Sequence, residues 1–213
     1  MDDVTTGPAH QSVASGDTPH DGASGDVRVR AGGEVVFGPS PPQAVSMARV
    51  GNLRWAELQA FAVVGSWVVT TPEHDVRVAL DAVSRHAAWR AQMLGDRLPT
   101  VGALAVDVVT VPRHAGLVAV VEEMAIVQST ADRLAVLHDV VIAGLVEATS
   151  TLIDTLSPVA DAPLLRALPM VVADLRRDGA AVAALRADAD NGSDAGDASA
   201  TLLSSRLVDV AGW

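Results

Sequence analysis

Four ionisable side chains, each in a different long helical pattern of the chain, could do chemistry. They are Glu57, His86, Glu147 and Asp174. A carboxylate that is buried among Val and Leu side chains has a raised pKa, which suits it to general acid–base catalysis near neutrality. Carboxylates and a histidine that project inward from several helices are also the components of a metal site in a helical bundle. These residue types therefore point to proton transfer or to metal binding.

Two pairs of long helices must position these side chains. Apolar residues recur at helical spacing, and the pattern breaks at two turns, residues 70–73 and 157–163. In the first turn, Thr71-Pro72-Glu73 has the sequence of a helix N-terminus with Thr71 as its cap. The predicted helices cover residues 42–69, 72–96, 130–156 and 162–188. Two helical hairpins predict an all-α fold, an antiparallel four-helix bundle.

The segments outside the bundle are short or polar. Residues 1–26 are rich in Gly, Ser, Thr and Asp, which predicts a disordered tail. Residues 27–37 alternate around a Gly-Gly pair, which predicts a small β-hairpin or an extended arm and completes an N-terminal segment of residues 1–41. The bundle itself covers residues 42–188. Residues 189–213 are predicted to be a linker and a short C-terminal helix that packs Trp213 onto the bundle or onto a partner chain.

The composition excludes several classes of function. The chain contains no Cys, Tyr or Lys, so thiol nucleophiles, Schiff-base lysines and tyrosine acids are excluded. The net charge is −11 without a basic run, which argues against nucleic-acid binding. The N-terminal residues lack the order of a signal peptide, and the apolar runs are too short to span a bilayer. We therefore expect a cytoplasmic protein with no membrane partner.

The distances of the four residues from their turns predict that they meet. Glu57 and His86 lie fourteen and fifteen residues from Thr71, and Glu147 and Asp174 lie thirteen and fourteen residues from Ala160. Residues equally far from the turn of an antiparallel hairpin lie at the same level, at a rise of about 1.5 Å per residue. One acidic residue or histidine from each helix is therefore expected in a single layer.

Two stretches resemble a known group of proteins, the ferritin-like superfamily and in particular ferritin-like proteins of actinobacteria. The first is Trp67-Val68-Val69-Thr70-Thr71-Pro72-Glu73 followed by Leu94-Gly95-Asp96-Arg97. The second is Pro158-Val159-Ala160-Asp161-Ala162-Pro163-Leu164-Leu165-Arg166. The resemblance covers residues 45–188 and implies the four-helix bundle.

The resemblance also implies a set of metal ligands, which this chain retains only in part. In metal-binding members, two helices each provide a Glu and two others each provide a Glu-x-x-His. Glu57 and Glu147 match the two single glutamates. The first Glu-x-x-His becomes Val83-x-x-His86, and the second becomes Asp174-x-x-Arg177. With a bridging carboxylate lost and an Arg in place of a His, the resemblance implies no di-iron centre, and a single weakly bound iron or manganese ion stays open.

Three functions are compatible with these residues. The first is a metal-independent biosynthetic enzyme for a hydrophobic small molecule of the natural-product type, without a cofactor. Its acid–base groups would be Glu57, His86, Glu147 and Asp174, and its substrate-binding residues would be Arg90, Arg177, Trp89 and Trp55. The second is a remnant iron or manganese oxygenase or oxidase. The third is a non-catalytic binding or assembly protein, and a homodimer through a helix face is compatible with all three.

Overall fold

The structure is a computed structural model that describes residues 27–29, 35–37, 41–189, 201–206 and 213. The chain separates into two units, Met1–Ser40 and Pro41–Trp213. In the first unit, β1 (Val27–Val29) and β2 (Val35–Phe37) pair antiparallel, with Val27 opposite Phe37. The predicted disordered tail, residues 1–26, lies outside the described residues.

Every regular element described in the second unit is a helix, which confirms the predicted all-α class of this unit. Residues 201–206, within the predicted C-terminal helix, are also helical. The elements are α1 (Pro41–Thr70), α2 (His74–Gly95), α3 (Val106–Val109), α4 (Gly116–Ala125), α5 (Thr130–Ala135), a π-helical segment (Val136–Ile142), α6 (Ala143–Thr155) and α7 (Ala162–Ala189).

The turn between α1 and α2, residues 71–73, lies within the predicted turn, but the cap of α2 lies later in the chain than predicted. Thr71 does not cap α2, because both its backbone N–H and its hydroxyl donate to the carbonyl of Trp67, at 3.0 and 2.8 Å. The N-cap of α2 is Glu73. After this turn α2 runs back along α1. The hydrogen bond from the Ser84 hydroxyl to the carbonyl of Phe61, at 3.0 Å, shows the register of the two helices.

The helix that begins after Ser129 continues without a break through α5, the π-helical segment and α6. The Ser129 hydroxyl accepts a hydrogen bond from the backbone N–H of Asp132 at 3.0 Å, as expected of an N-cap. By length and composition alone this helix, Thr130–Thr155, could cross a membrane. Its most apolar window contains no more than two charged residues. A buried core helix passes the same test, and 44% of the apolar window is buried inside the protein.

The four long helices contact one another in a closed order. α1 packs on α2, α2 on α7, α7 on α6, and α6 on α1. The helix α3 crosses α1 at Gly51, where an added Cβ would lie 2.2 Å from the carbonyl oxygen of Val109. The core between the helices contains large, fully buried side chains, among them Trp67, Leu80, Leu94, Leu137, Leu168 and Leu175.

Candidate functional site

A buried arginine links three of the long helices. Arg90 on α2 donates through Nε to Glu57 Oε1 on α1 at 2.8 Å. Its Nη1 donates to Asp174 Oδ2 and Asp178 Oδ2 on α7, each at 2.8 Å. Arg90 and Glu57 are each only 1% exposed. We call these four side chains the Arg90 cluster.

The sequence places the cluster inside because each member occupies a core position of its helix. On α2, Val83, Ala87, Arg90 and Leu94 recur at spacings of three and four residues and are all buried. On α7, Asp174 and Asp178 are one helical turn apart on a single face. The guanidinium can satisfy two helices at once because its planar fork presents several N–H donors in fixed directions.

His86 extends the cluster to the surface. Its Nδ1 lies 2.7 Å from Asp178 Oδ1, and its side chain is 44% exposed, whereas that of Asp178 is 4% exposed. An ionised carboxylate can only accept a hydrogen bond, so Nδ1 carries the proton and the neutral ring has its lone pair on Nε2. This is the arrangement in which a buried carboxylate orients a histidine for acid–base chemistry.

The cluster contains more negative than positive charge, and this affects the pKa of Glu57. Burial raises the pKa of Glu57 to about 7 from its ordinary 4.5, against the attraction and hydrogen bond of Arg90. The charges of Asp178 and Asp174 act in the same direction as burial. Glu57 Oε2 is buried and accepts no hydrogen bond from any described residue. Glu57 can therefore hold a proton near neutral pH.

Arg90 stays charged in the same environment. Burial by itself lowers the pKa of Arg90, but the charge of Glu57 and the hydrogen bonds to all three carboxylates raise it above its ordinary value. A buried guanidinium with good hydrogen bonds to carboxylates keeps its proton. Arg90 is thus a permanent positive charge at the centre of the cluster.

A single iron or manganese ion, which the sequence leaves open, does not fit these residues. Donor atoms of His86, Asp174 and Asp178 lie within 4.8 Å of one another, which by distance alone could hold an ion. The Oδ2 atoms of both aspartates are, however, already bonded to Arg90 Nη1. A divalent cation beside that buried guanidinium would be repelled, because little water screens the two charges. Arg90 stands in the place of a cation.

The structure brings together most of the predicted site residues, but by a different pairing. Glu57 faces Arg90 and not His86. The turn is centred at Pro72, one residue after the predicted centre, Thr71, and this moves the position opposite Glu57 by two residues toward Arg90. His86 joins the cluster through Asp178. Sequence reasoning missed Asp178, although its i, i+4 spacing from Asp174 was a signal that both carboxylates share a face.

The remaining predicted residues lie at the edges of the cluster or away from it. Arg177 is on the surface, 75% exposed in its side chain, and its Nη1 donates to Asp174 Oδ1 at 3.2 Å. Trp55 is partly buried against the apolar core, and Trp89 is 49% exposed. Glu147 is exposed and does not join the predicted layer. It lines a separate cavity.

That cavity has a volume of about 570 Å³ and lies between α1 and the helix that runs from the π-helical segment into α6. Its lining includes Arg49 and Leu53 from α1, Glu147 from α6, Arg113 from the segment before α4, and Trp213. A volume of this size is typical of small-molecule sites. Glu147 therefore lines a space that no residue of the Arg90 cluster lines.

No protein-family model, curated protein or solved structure matches the chain.

Proposed function

We propose that this protein is a metal-independent biosynthetic enzyme, built on a ferritin-like antiparallel four-helix bundle, that transfers protons on a hydrophobic small molecule. The closed contact order of α1, α2, α7 and α6 supports the bundle. The single observation that carries the activity is the contact of 2.7 Å between His86 Nδ1 and Asp178 Oδ1. It joins a half-exposed base to a buried carboxylate.

In the proposed mechanism His86 is the catalytic residue. Asp178 accepts a hydrogen bond from Nδ1–H and holds the ring, so that Nε2 faces outward with a free lone pair. Nε2 removes a proton from the bound substrate and returns it to another atom of the product. Arg90 holds Asp178 in place through Nη1, which makes both Arg90 and Asp178 positioning residues.

The substrate would approach the exposed edge of His86, on the face where α2 and α7 meet. The exposed indole of Trp89 lies one turn further along α2 and could contact an apolar substrate. Arg177 lies one turn from Asp174 and could bind an anionic group. The partly buried Trp55 is kept in the proposal only as packing behind the site.

Proton exchange tests this proposal without knowledge of the natural substrate. The protein is incubated in D₂O with phenylacetone, an apolar ketone, and deuterium at the α-carbon is followed by NMR. Exchange faster than in buffer is expected, with a loss of about 100-fold in His86→Ala, because general bases contribute about 10²–10⁴-fold. Asp178→Asn should lose a large part of the rate and shift its pH profile. His114→Ala, at an exposed histidine outside the cluster, is the control.

Two results would contradict the proposal. One is exchange no faster than in buffer, and the other is an unchanged rate in His86→Ala. Either would favour the non-catalytic alternative, in which the Arg90 cluster only fixes the packing of the helices.

The proposal also places the protein in the cytoplasm. It includes a homodimer, which the exposed Phe61 and Val69 of α1 support.

A further inference from the structure

The cavity beside α6 is built from one continuous helix face and closed by a tryptophan. Small residues on this face, Ala143, Gly144 and Ala148, leave space above the apolar side chains of Leu53 and Leu152. On this helix the lining positions Val140, Gly144, Ala148 and Leu152 recur every four residues, so they share one side of it. This side of the cavity is therefore largely apolar, and it can hold an apolar group.

The π-helical segment and Trp213 form one end of the cavity. The indole Nε1–H of Trp213 donates to the carbonyl of Val140 at 3.2 Å, inside the π-helical segment. Arg113 Nη1 donates to the carbonyl oxygen of Trp213 at 3.3 Å. π-helical turns are rare and are frequently found at functional sites. The ring of Trp213 is thereby fixed as a wall of the cavity.

The cavity is lined by positively and negatively charged side chains that form no ion pairs with one another. Among the described residues, Arg49 donates to the hydroxyl of Thr155 at 3.1 Å and Arg113 to the main-chain oxygen of Trp213, and neither makes an ion pair with a side-chain carboxylate. Glu147, which also lines the cavity, has no ion pair among the described residues, whereas Asp139 is bonded to Arg186. Two guanidinium groups and one carboxylate therefore line the same space without being ion-paired to any described side chain.

From this arrangement we propose that the cavity binds a small zwitterion with an apolar side chain, such as an aromatic or aliphatic amino acid. Its carboxylate would bind Arg49 and Arg113, and its ammonium group would bind Glu147. A plain anion would be repelled by Glu147 and a plain cation by the arginines, so a ligand with both charges is complementary. The apolar group would lie against Leu53 and Leu152.

This site is separate from the Arg90 cluster, since no residue of the cluster lines the cavity. It does not depend on the proposed activity of His86. A failure of one proposal therefore leaves the other standing.

Three matched probes test the proposal by calorimetry on the full-length protein. L-Phenylalanine carries both charges, 3-phenylpropionate lacks the ammonium group, and 2-phenylethylamine lacks the carboxylate. We expect saturable binding of phenylalanine, at least tenfold tighter than either analogue, because each charge-assisted hydrogen bond adds about that factor. No saturable binding of phenylalanine up to about 10 mM, or equal affinity for all three probes, would overturn the proposal.

Substitutions at exposed positions assign each charge. Glu147→Gln should weaken phenylalanine binding about tenfold and leave 3-phenylpropionate unchanged or improved. Arg49→Gln should weaken phenylalanine to the same extent and leave 2-phenylethylamine unchanged. Asp154→Asn and Arg166→Gln, exposed residues of α6 and α7 outside the cavity, are the matched controls. If a control variant lowers the affinity as much as its partner, the assignment is wrong.

Tryptophan fluorescence places the ligand independently. Phenylalanine should change the emission of the wild-type protein through Trp213, and this change should vanish in Trp213→Phe. It should persist in Trp89→Phe, which removes an exposed indole that does not line the cavity. A signal that survives in Trp213→Phe and vanishes in Trp89→Phe would put the ligand elsewhere and overturn the proposal.

Discussion

Arg90 and Glu57 meet at 2.8 Å with both side chains 1% exposed, in a protein core that is otherwise largely Val, Leu and Ala. A buried ion pair is weak evidence for stability, because desolvation of both charges offsets their attraction. Its members nevertheless depend on each other, since either one alone would be an unpaired charge in the core.

Removal of the arginine should destabilise the fold severely. Arg90→Met leaves the carboxylates of Glu57, Asp174 and Asp178 together in the core without a counter-charge. Loss of one partner of a buried ion pair costs about 3–5 kcal/mol, and we expect a loss of that size in the free energy of unfolding, measured in urea. Arg177→Met removes an exposed partner of Asp174 and should cost less than about 1 kcal/mol. Equal effects of the two variants would show that Arg90 is not the centre of the cluster.

The stability of the protein should fall as pH rises toward neutrality, because of Glu57. Its pKa is raised to about 7 in the folded state against 4.5 in the unfolded chain. Between these values the folded state binds more protons, so its stabilisation is present below pH 4.5 and is lost as pH rises through 7. The loss amounts to a few kcal/mol at most.

Glu57→Gln isolates this effect. The amide keeps an oxygen that can accept from Arg90 Nε but cannot ionise. We expect the variant to lose less stability than the wild type between pH 5 and 8, as measured by urea unfolding at each pH. Glu122→Gln, at an exposed carboxylate of α4, is the control and should retain the wild-type slope. A wild-type slope in Glu57→Gln would mean that another group titrates.

Periodicity determined the helices, but a small error in the turn changed the site. The all-α class and the start of the third long helix at residue 130 followed from local patterns that the structure retains. The N-cap of α2 did not, because Thr71 bonds back to Trp67 and the cap lies two residues later, at Glu73. The centre of the turn moved by one residue, which moves the position opposite Glu57 by two residues toward Arg90.

The sequence also did not predict the direction in which a side chain at the edge of a helix points. Glu147 and Asp174 lie thirteen and fourteen residues from the centre of their predicted turn, yet Asp174 is buried and Glu147 is exposed. Equal height in a hairpin gives no information about the rotation of each helix. The contact of Asp178 with both His86 and Arg90 depends on the packing of α7 against α2, and no local pattern in either helix specifies it.

A glycine fixes the crossing of α3 over α1. A Cβ at Gly51 would lie 2.2 Å from the carbonyl oxygen of Val109, a backbone atom that cannot move aside without displacing α3. Gly51→Ala should therefore destabilise the protein by about 1–3 kcal/mol through overpacking, measured by urea unfolding. Gly179→Ala is the comparison, because its Cβ would meet only the side chain of Ile142 at 3.3 Å. It should change stability by less than about 1 kcal/mol, since alanine also favours the helix.

Metal binding should depend on whether Arg90 is present. In the wild type, addition of Mn(II) or Fe(II) should leave the melting temperature unchanged, and protein purified without chelators should contain no stoichiometric metal by elemental mass spectrometry. Arg90→Met keeps His86, Asp174 and Asp178, whose donor atoms lie within 4.8 Å of one another. It removes the guanidinium that is bonded to the two aspartates. A ligand that binds only the folded state stabilises it, so Mn(II) should raise the melting temperature of this variant by several degrees.

The control for this result is the double variant Arg90→Met/Asp178→Asn, which lacks one of the three donors. It should lose the stabilisation by Mn(II), because two remaining ligands hold a divalent cation poorly. Stoichiometric metal in the wild type that disappears in His86→Ala would contradict the metal-independent function directly. That result would also show that the guanidinium of Arg90 does not exclude a cation from the cluster, and the oxygenase or oxidase interpretation would then replace proton transfer by His86.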